Sequence, residues 1–229
     1  MSAARLPPGQ KEMDHFPRFG VPLFARRMPA LPDAPRLEVR GEVAHEASFA
    51  LGDLGVVPRV EIVADFHCVA TWSCRGVRWS GYRFRDVWDT VVAPVVRPSS
   101  AARYVQLVCF DGYETCIGIE DLRSEDVLLA DRLDDEPLTV DHGAPLRLVA
   151  PSLYGFKNAK HLCGLVPCTA YRRGLAERKT FAHPRARVAH EERGRFGPQW
   201  FFRHFYRALI RRTLAQYSRA VKENVRRRS

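Results

Sequence analysis

The chain has 229 residues, 46% of them hydrophobic and 27% charged, with 15 glycines and 16 prolines. These proportions belong to a globular protein and exclude a wholly disordered chain, a collagen-like fibre and a low-complexity repeat. The formal charge of +10 is uneven: residues 172–229 carry 17 basic and 4 acidic side chains, whereas residues 1–171 carry 19 and 22, so the basic balance gives no ground for nucleic-acid binding by the main body.

Residues 1–35 are proline-rich, yet Phe16, Phe19, Leu23 and Phe24 are too apolar for a solvated linker. The segment reads as an extended strap laid over a domain spanning residues 36–171. No stretch approaches the ~20 apolar residues of a membrane-spanning helix. After Arg26-Arg27 comes Met28-Pro-Ala-Leu-Pro32, where an export signal needs an apolar run, so the expected location is cytoplasmic.

Leu37–Val43 and Val60–Phe66 alternate apolar and polar residues, predicting two half-buried strands of one sheet. The second strand delivers His67 and Cys68 into what reads as a loop rich in Trp, Ser, Arg and Gly. A short helix is predicted over Arg83–Val92, where Phe84, Val87, Trp88 and Val91 share one face. Tyr104–Phe110 and Tyr113–Ile119 read as a hairpin closed by Asp111-Gly112. Glu120–Asp126 reads as a helical turn, and Arg147–Ala150 as a strand stopped by Pro151. The class is α+β, with no GxGxxG or GxxxxGK[ST] phosphate loop.

Six cysteines include no CxxC pair, so zinc ribbons and dithiol redox centres lack their spacing. In a reducing compartment most are expected to be free thiols packed as small apolar residues. Cys68 stands apart. It lies at a strand end, with Arg75 and Arg78 close enough in sequence to favour a thiolate. The residues alone leave open whether it is a reactive or ligating thiolate or an inert buried cysteine.

Beyond Cys68 the sequence carries recognisable blocks. The pattern His67-Cys-Val-x-x-Trp-Ser73, followed by Trp79-x-Gly-x-x-x-x-Asp-Val87, resembles the molybdopterin-binding domain of the sulfite oxidase family. His142-Gly-Ala-Pro-Leu-Arg-Leu-Val-Ala-Pro151 with Tyr154-Gly-Phe-Lys-Asn-Ala-Lys160 is similar to the family's second signature. Leu6-Pro-Pro-Gly-Gln10 and Phe16-Pro-Arg-Phe-Gly20 resemble the lead-in of small bacterial members.

The resemblance implies a fold of mixed β-sheets with short helices around a molybdopterin that carries molybdenum. It makes Cys68 the one protein ligand to the metal, a soft sulfur donor of the kind molybdenum prefers beside two dithiolene sulfurs. It places Pro17, Arg18, Cys109, His142, Arg147, Asn158, Ala159 and Lys160 around the pterin, with Arg147 and Lys160 on its phosphate. Cys109 and His142 also admit plain readings, as strand packing and a turn residue. Trp72 would wall the substrate side, where packing is the alternative role, and Arg75 would meet an anionic substrate.

The implied activity is two-electron oxygen-atom transfer to or from a small sulfur- or nitrogen-centred substrate: an oxyanion such as sulfite, an S-oxide or an N-oxide. An electron-transfer partner follows from that chemistry. Sulfite oxidases place arginines directly after the ligand cysteine, whereas this chain has Val69-Ala-Thr-Trp-Ser73 there. A non-catalytic binding module that keeps the fold is the competing reading. Retention of Cys68, Arg147 and Lys160 together favours the enzyme.

Residues 172–229 read as a basic helical tail. Phe202, Tyr206, Leu209, Ile210, Leu214, Tyr217 and Val221 form a helical stripe amid arginines. Three roles stay open: docking on the chain's own domain, lying on an anionic membrane through residues 200–222, or binding an acidic electron-transfer partner or, as the weaker form of that role, nucleic acid.

Overall fold

The computed structural model describes residues 5–228, and side chains as far as residue 223. In chain order the strands and helices are β1 (Lys11–Glu12), β2 (Arg36–Val39), β3 (Ala47–Ala50), β4 (Arg59–His67) and β5 (Trp72–Arg83). Then come α1 (Phe84–Val87), a π-helical turn (Trp88–Val92), α2 (Ala93–Val96), β6 (Tyr104–Cys109), β7 (Glu114–Gly118) and α3 (Ile119–Leu122). The last are β8 (Leu128–Leu133), β9 (Glu136–Pro137), β10 (Arg147–Val149), β11 (Leu162–Cys168), α4 (Leu175–Lys179) and α5 (Gln199–Arg228).

Two mixed sheets organise the chain. One runs β1-β5-β8-β10, with β4 on β5 and β9 on β8; the other runs β3-β2-β11-β6-β7. Between them lies the main core. Leu37, Val39, Val105, Leu107 and Leu165 from the second sheet meet Leu129 and Leu148 from the first, and Phe84, Val87, Trp88 and Val92 close one side. The next residues along β8 and β10, Leu128, Ala130 and Val149, point to the opposite face and pack with Val77 and Trp79. Both faces of this sheet are therefore covered, which is why these strands read as continuous apolar runs.

β5 and β8 approach closely at Gly81, where a Cβ would lie 2.2 Å from the Leu129 carbonyl oxygen. The pairing slips by one residue there, between Ser80 and Gly81. Only glycine allows that contact.

Sequence expectations and structure part at three places, the first being that the strand expected over Leu37–Val43 ends at Val39. Leu37–Val39 and Val60–Phe66 fall in different sheets, not one. Alternation reports that one face of a strand is buried but not which edge it pairs with, and the 3₁₀ segment Leu51–Val56 carries the chain from one sheet to the other. The expected loop after Cys68 is instead a tight turn followed by β5, 12 residues long and paired along most of its length with β4. Its Gly, Ser and Arg content hides a strand whose stability comes from neighbours on both edges.

The predicted hairpin is present. β6 and β7 pair from Tyr104↔Gly118 to Val108↔Glu114, and Gly112 takes the positive φ of 80° that the turn needs. The helix predicted at Arg83–Val92 runs on to Val96 through the π-helical turn.

α5 docks on the body. Phe202 and Tyr206 pack beside Cys68, Ala70 and Trp72, while Tyr217 and Ala220 pack on Ala25 of the N-terminal segment. Among the described residues no helix is long and apolar enough to cross a membrane.

Candidate active site

Cys68 is the first residue after β4. Its N–H donates to the Trp72 carbonyl at 2.8 Å, and Thr71 N–H donates back to the Cys68 carbonyl at 3.1 Å. With Thr71 at φ 69°, residues 68–71 form a tight turn that fixes the direction of Sγ. Ala70 N–H approaches that sulfur at 3.4 Å.

Residues far away in sequence hold the turn. Gln10 Nε2 donates to the Cys68 carbonyl at 3.0 Å. Arg193, wholly buried, donates to the carbonyls of Val69 at 2.7 Å and Pro8 at 2.9 Å, pairs with Glu191 at 3.1 Å, and lies over the Tyr154 ring. Arg207 of α5 donates to the Gly9 carbonyl at 2.6 Å. The strap, the turn and the C-terminal region are thus tied into one unit.

The thiol itself sits among Ala70, Trp72, Phe202 and Tyr206. Burial pushes its pKa up to about 12. The expectation that Arg75 and Arg78 hold a thiolate is corrected: Arg75 pairs with Glu12 at 3.2 Å and Arg78 with Asp135 at 2.7 Å. Ala70 N–H and the Arg193 charge offset only part of the burial, so the sulfur keeps its proton in the absence of a metal.

A cavity of about 180 Å³ opens beside Cys68. Its walls come from every part of the chain: Phe16, Pro17, Arg18 and Phe19 of the strap, Trp72, then Arg147, Asn158, Lys160 and His161, and Tyr206, Leu209 and Tyr217 of α5. The aromatic side is continuous. Phe16 meets Phe66, Trp72 and Trp79 edge-on, and Phe19 meets Trp72 and stacks on Tyr217.

The cations gather around the turn at Asp141–Gly143. Lys160 donates to the Asp141 carbonyl at 3.0 Å, Arg147 to the His142 carbonyl at 2.8 Å, and Arg18 pairs with the Asp141 carboxylate at 3.3 Å. Gly143, at φ 110°, makes room for them; a Cβ there would lie 3.1 Å from Lys160 Cβ and 3.2 Å from Arg147 Cβ.

Enclosure and mutual repulsion show in their pKa values. Burial, followed by the charges of Arg147 and Arg18, brings Lys160 down to about 7. Burial alone brings Arg147 down to about 9. His142 and His161 both fall to about 4, through burial first, and are neutral at physiological pH. His161 Nδ1 donates to the Ala144 carbonyl at 2.8 Å.

Several buried donors facing this cavity have no partner: Arg18 Nη1, Arg147 Nε and Trp72 Nε1. Each unmet donor costs roughly 1–3 kcal/mol, and clustered cations repel. The arrangement suits a ligand that brings an anionic group to Arg18, Arg147 and Lys160 and a soft metal to Cys68. Among the described residues no three His, Cys, Asp or Glu side chains gather as a metal cage. A metal at Cys68 therefore takes its other ligands from a cofactor, as a dithiolene pterin supplies them.

Of the residues singled out from sequence, Pro17, Arg18, Cys68, Trp72, Arg147, Asn158 and Lys160 line this one cavity. Asn158 also braces its own loop, accepting from Ala150 N–H at 2.7 Å and donating to the Leu153 carbonyl at 3.3 Å. Cys109 and Ala159 face the main core, and Arg75 and His142 are outside the cavity lining. His142 stacks on Phe16 at 5.4 Å.

The sequence reading passed over His161, Tyr206, Tyr217, Gln10 and Arg193. His161 directly follows the Asn158-Ala-Lys160 run, and the tyrosines lie on the apolar stripe. Arg193, one of four arginines within residues 185–195, gave no signal of its own.

Residues 25–174 match the family model described as oxidoreductase molybdopterin binding domain. The chain belongs to this family. It is 35% identical over 165 residues to the oxidoreductase YuiH of Bacillus subtilis (strain 168), a match covering 71% of this chain and 79% of YuiH. It is 28% identical over 144 residues to MsrP, the catalytic subunit of a protein-methionine-sulfoxide reductase of Campylobacter jejuni, covering 56% of this chain and 46% of MsrP.

The fold superposes on the sulfane dehydrogenase SoxCD of Paracoccus pantotrophus with a TM-score of 0.54 at 20% identity, over 70% of this chain and 45% of that one. The protein is thus a molybdopterin-binding oxidoreductase domain of the sulfite oxidase type. It spans most of YuiH but under half of MsrP and of the SoxCD chain.

Proposed function

We propose that this chain catalyses oxygen-atom transfer on a neutral S-oxide or N-oxide, with Cys68 as its ligand to molybdenum. The observation that carries the reading is the division of the cavity lining. Three of its cations, Arg18, Arg147 and Lys160, surround the Asp141–Gly143 turn and the fourth, Arg27, donates to the Asp111 carbonyl at 3.3 Å, while Cys68 is packed among Trp72, Phe202 and Tyr206. Arg75, the candidate partner for an oxyanion, is engaged by Glu12 outside the lining. The cationic groups are then taken up by the cofactor phosphate, and a substrate near Cys68 meets aromatic walls suited to an uncharged molecule. The name of MsrP, a sulfoxide reductase subunit, supports the same class.

Bound at Cys68, the molybdenum cofactor supplies two-electron redox chemistry at an oxygen-accepting metal. The overall change is R₂SO plus two electrons and two protons to R₂S plus water. The chain's own residues prepare that site. The turn at residues 68–71, held by Gln10 and Arg193, aims the sulfur. Arg18, Arg147 and Lys160 seat the phosphate, and the unpartnered Trp72 Nε1 is a donor for an acceptor atom in the cavity.

The electrons come from a separate carrier. Six free cysteines accord with a reducing compartment, and we take the cytoplasm as the working location.

Turnover of the molybdenum-loaded protein tests this directly. Reduced viologen should be oxidised by dialkyl sulfoxides or N-oxides at least tenfold faster than sulfite reduces ferricyanide. The opposite ranking overturns the choice of substrate.

A further inference from the structure

The outer side of α5 has no use in the site described above. Its inner stripe of Phe202, Tyr206, Thr213, Tyr217 and Ala220 is buried. Of the roles the sequence leaves open for this stripe, docking on the chain's own domain is the one it fills. The exposed face carries Phe201 and Phe205 followed, on the same line, by Arg212 and Arg219.

Trp200 meets Phe201 at 6.4 Å, Phe201 stacks along Phe205 at 6.4 Å, and Phe205 meets Phe181 at 6.1 Å. Phe196, on the loop before the helix, is 62% exposed, and Trp200 is 60% exposed. A contiguous patch of large aromatics on a protein surface marks an interaction site.

Charge decides the occupant. Residues 196–222 contain six basic side chains and no acidic one. Arg203 and Arg207 turn inward, to Glu191 and the Gly9 carbonyl. Arg211, Arg212, Arg219 and Lys222 are exposed and form no ion pair among the described residues. A second copy would bring like charges together. Protruding Trp and Phe beside unpaired arginines match the apolar and anionic layers of a lipid interface.

We propose that Phe181, Trp200, Phe201 and Phe205, with Arg212 and Arg219, dock this protein on an anionic phospholipid surface. α5 then lies between the bilayer and the cavity, with its inner face on the protein and its outer face on the headgroups. Leu209, half-exposed one turn beyond Phe205, also lines the cavity, so the docking face borders the cavity wall.

Flotation of the full-length, cofactor-loaded protein tests this with vesicles of phosphatidylcholine alone or mixed with phosphatidylglycerol. The anionic vesicles should retain it and the neutral ones should not. Replacing Trp200, Phe201 and Phe205 together by Ser should lower the partition coefficient at least tenfold, and R212Q or R219Q roughly fivefold each. Melting temperature and molybdenum content should be unchanged in all three variants.

Trp200 provides a readout without mutation, because Trp72, Trp79 and Trp88 are buried. Its emission should shift to the blue on anionic vesicles and be quenched by brominated lipid. Absence of retention and blue shift, retention unaffected by the aromatic substitutions, or vesicle-independent self-association abolished by them would each overturn lipid docking.

Discussion

Arg193 and Val69 are 124 positions apart, and the arginine's Nη1 donates to the valine carbonyl at 2.7 Å. Through that bond the C-terminal region fixes the peptide that follows Cys68. The guanidinium is fully buried and also meets Pro8 and Glu191, so its removal strands two carbonyl groups and frees the turn. Arg193→Met should lower unfolding free energy by about 3 kcal/mol and reduce molybdenum occupancy. Denaturant unfolding and metal analysis check both; a loss under about 1 kcal/mol would show that the turn is held by its own hydrogen bonds.

The same tie makes the C-terminal region part of the site. Truncation after Arg178 removes Arg193, Phe202, Tyr206 and Tyr217, which together clamp the turn and wall the cavity. Molybdenum content should fall at least tenfold. An independent helix would leave it unchanged.

Lys160 makes cofactor affinity depend on pH. In the ligand-free cavity its pKa is about 7, and an arriving phosphate raises it, so binding above pH 7 takes up a proton. Affinity should therefore fall about tenfold per pH unit as pH rises above 7, until the bound-state pKa is passed. The unfolded chain keeps that proton to about pH 10.4, so stability of the cofactor-free protein should rise with pH over the same interval. Lys160→Met should remove both slopes; calorimetric titration and thermal unfolding at several pH values measure them.

Arg75 separates the two substrate classes. Its guanidinium pairs with Glu12 outside the cavity, with a quarter of the side chain still exposed. Arg75→Gln should change kcat/KM for an S-oxide less than twofold. A tenfold loss confined to KM for an anionic substrate would instead place the arginine on the substrate.

Much of the site was legible because its residues sit in contiguous blocks. Residues 67–73, 142–151 and 154–160 each carry cavity-lining side chains within a few positions, and the structure brings Cys68, Arg147 and Lys160 to one cavity. What sequence could not show is what depends on long-range pairing. β5 looked like a loop because Gly76 and Gly81 interrupt its pattern, although Gly81 is what lets β8 approach. α5 showed its apolar stripe clearly, but periodicity is equally consistent with lipid, a partner or the chain's own core. Arg75 and Arg78 looked like neighbours of Cys68, but they belong to the strand beyond the turn and pair with acids elsewhere.

The central claim is that Cys68 binds molybdenum, and X-ray absorption at the molybdenum K-edge tests it most directly. The wild-type protein should show two dithiolene sulfurs and a third sulfur at a single-bond distance. Cys68→Ser, which keeps the fold because the thiol makes no strong hydrogen bond, should lose that third sulfur together with turnover. An unchanged sulfur count in Cys68→Ser, or wild-type protein free of molybdenum from a host that makes the cofactor, would contradict it.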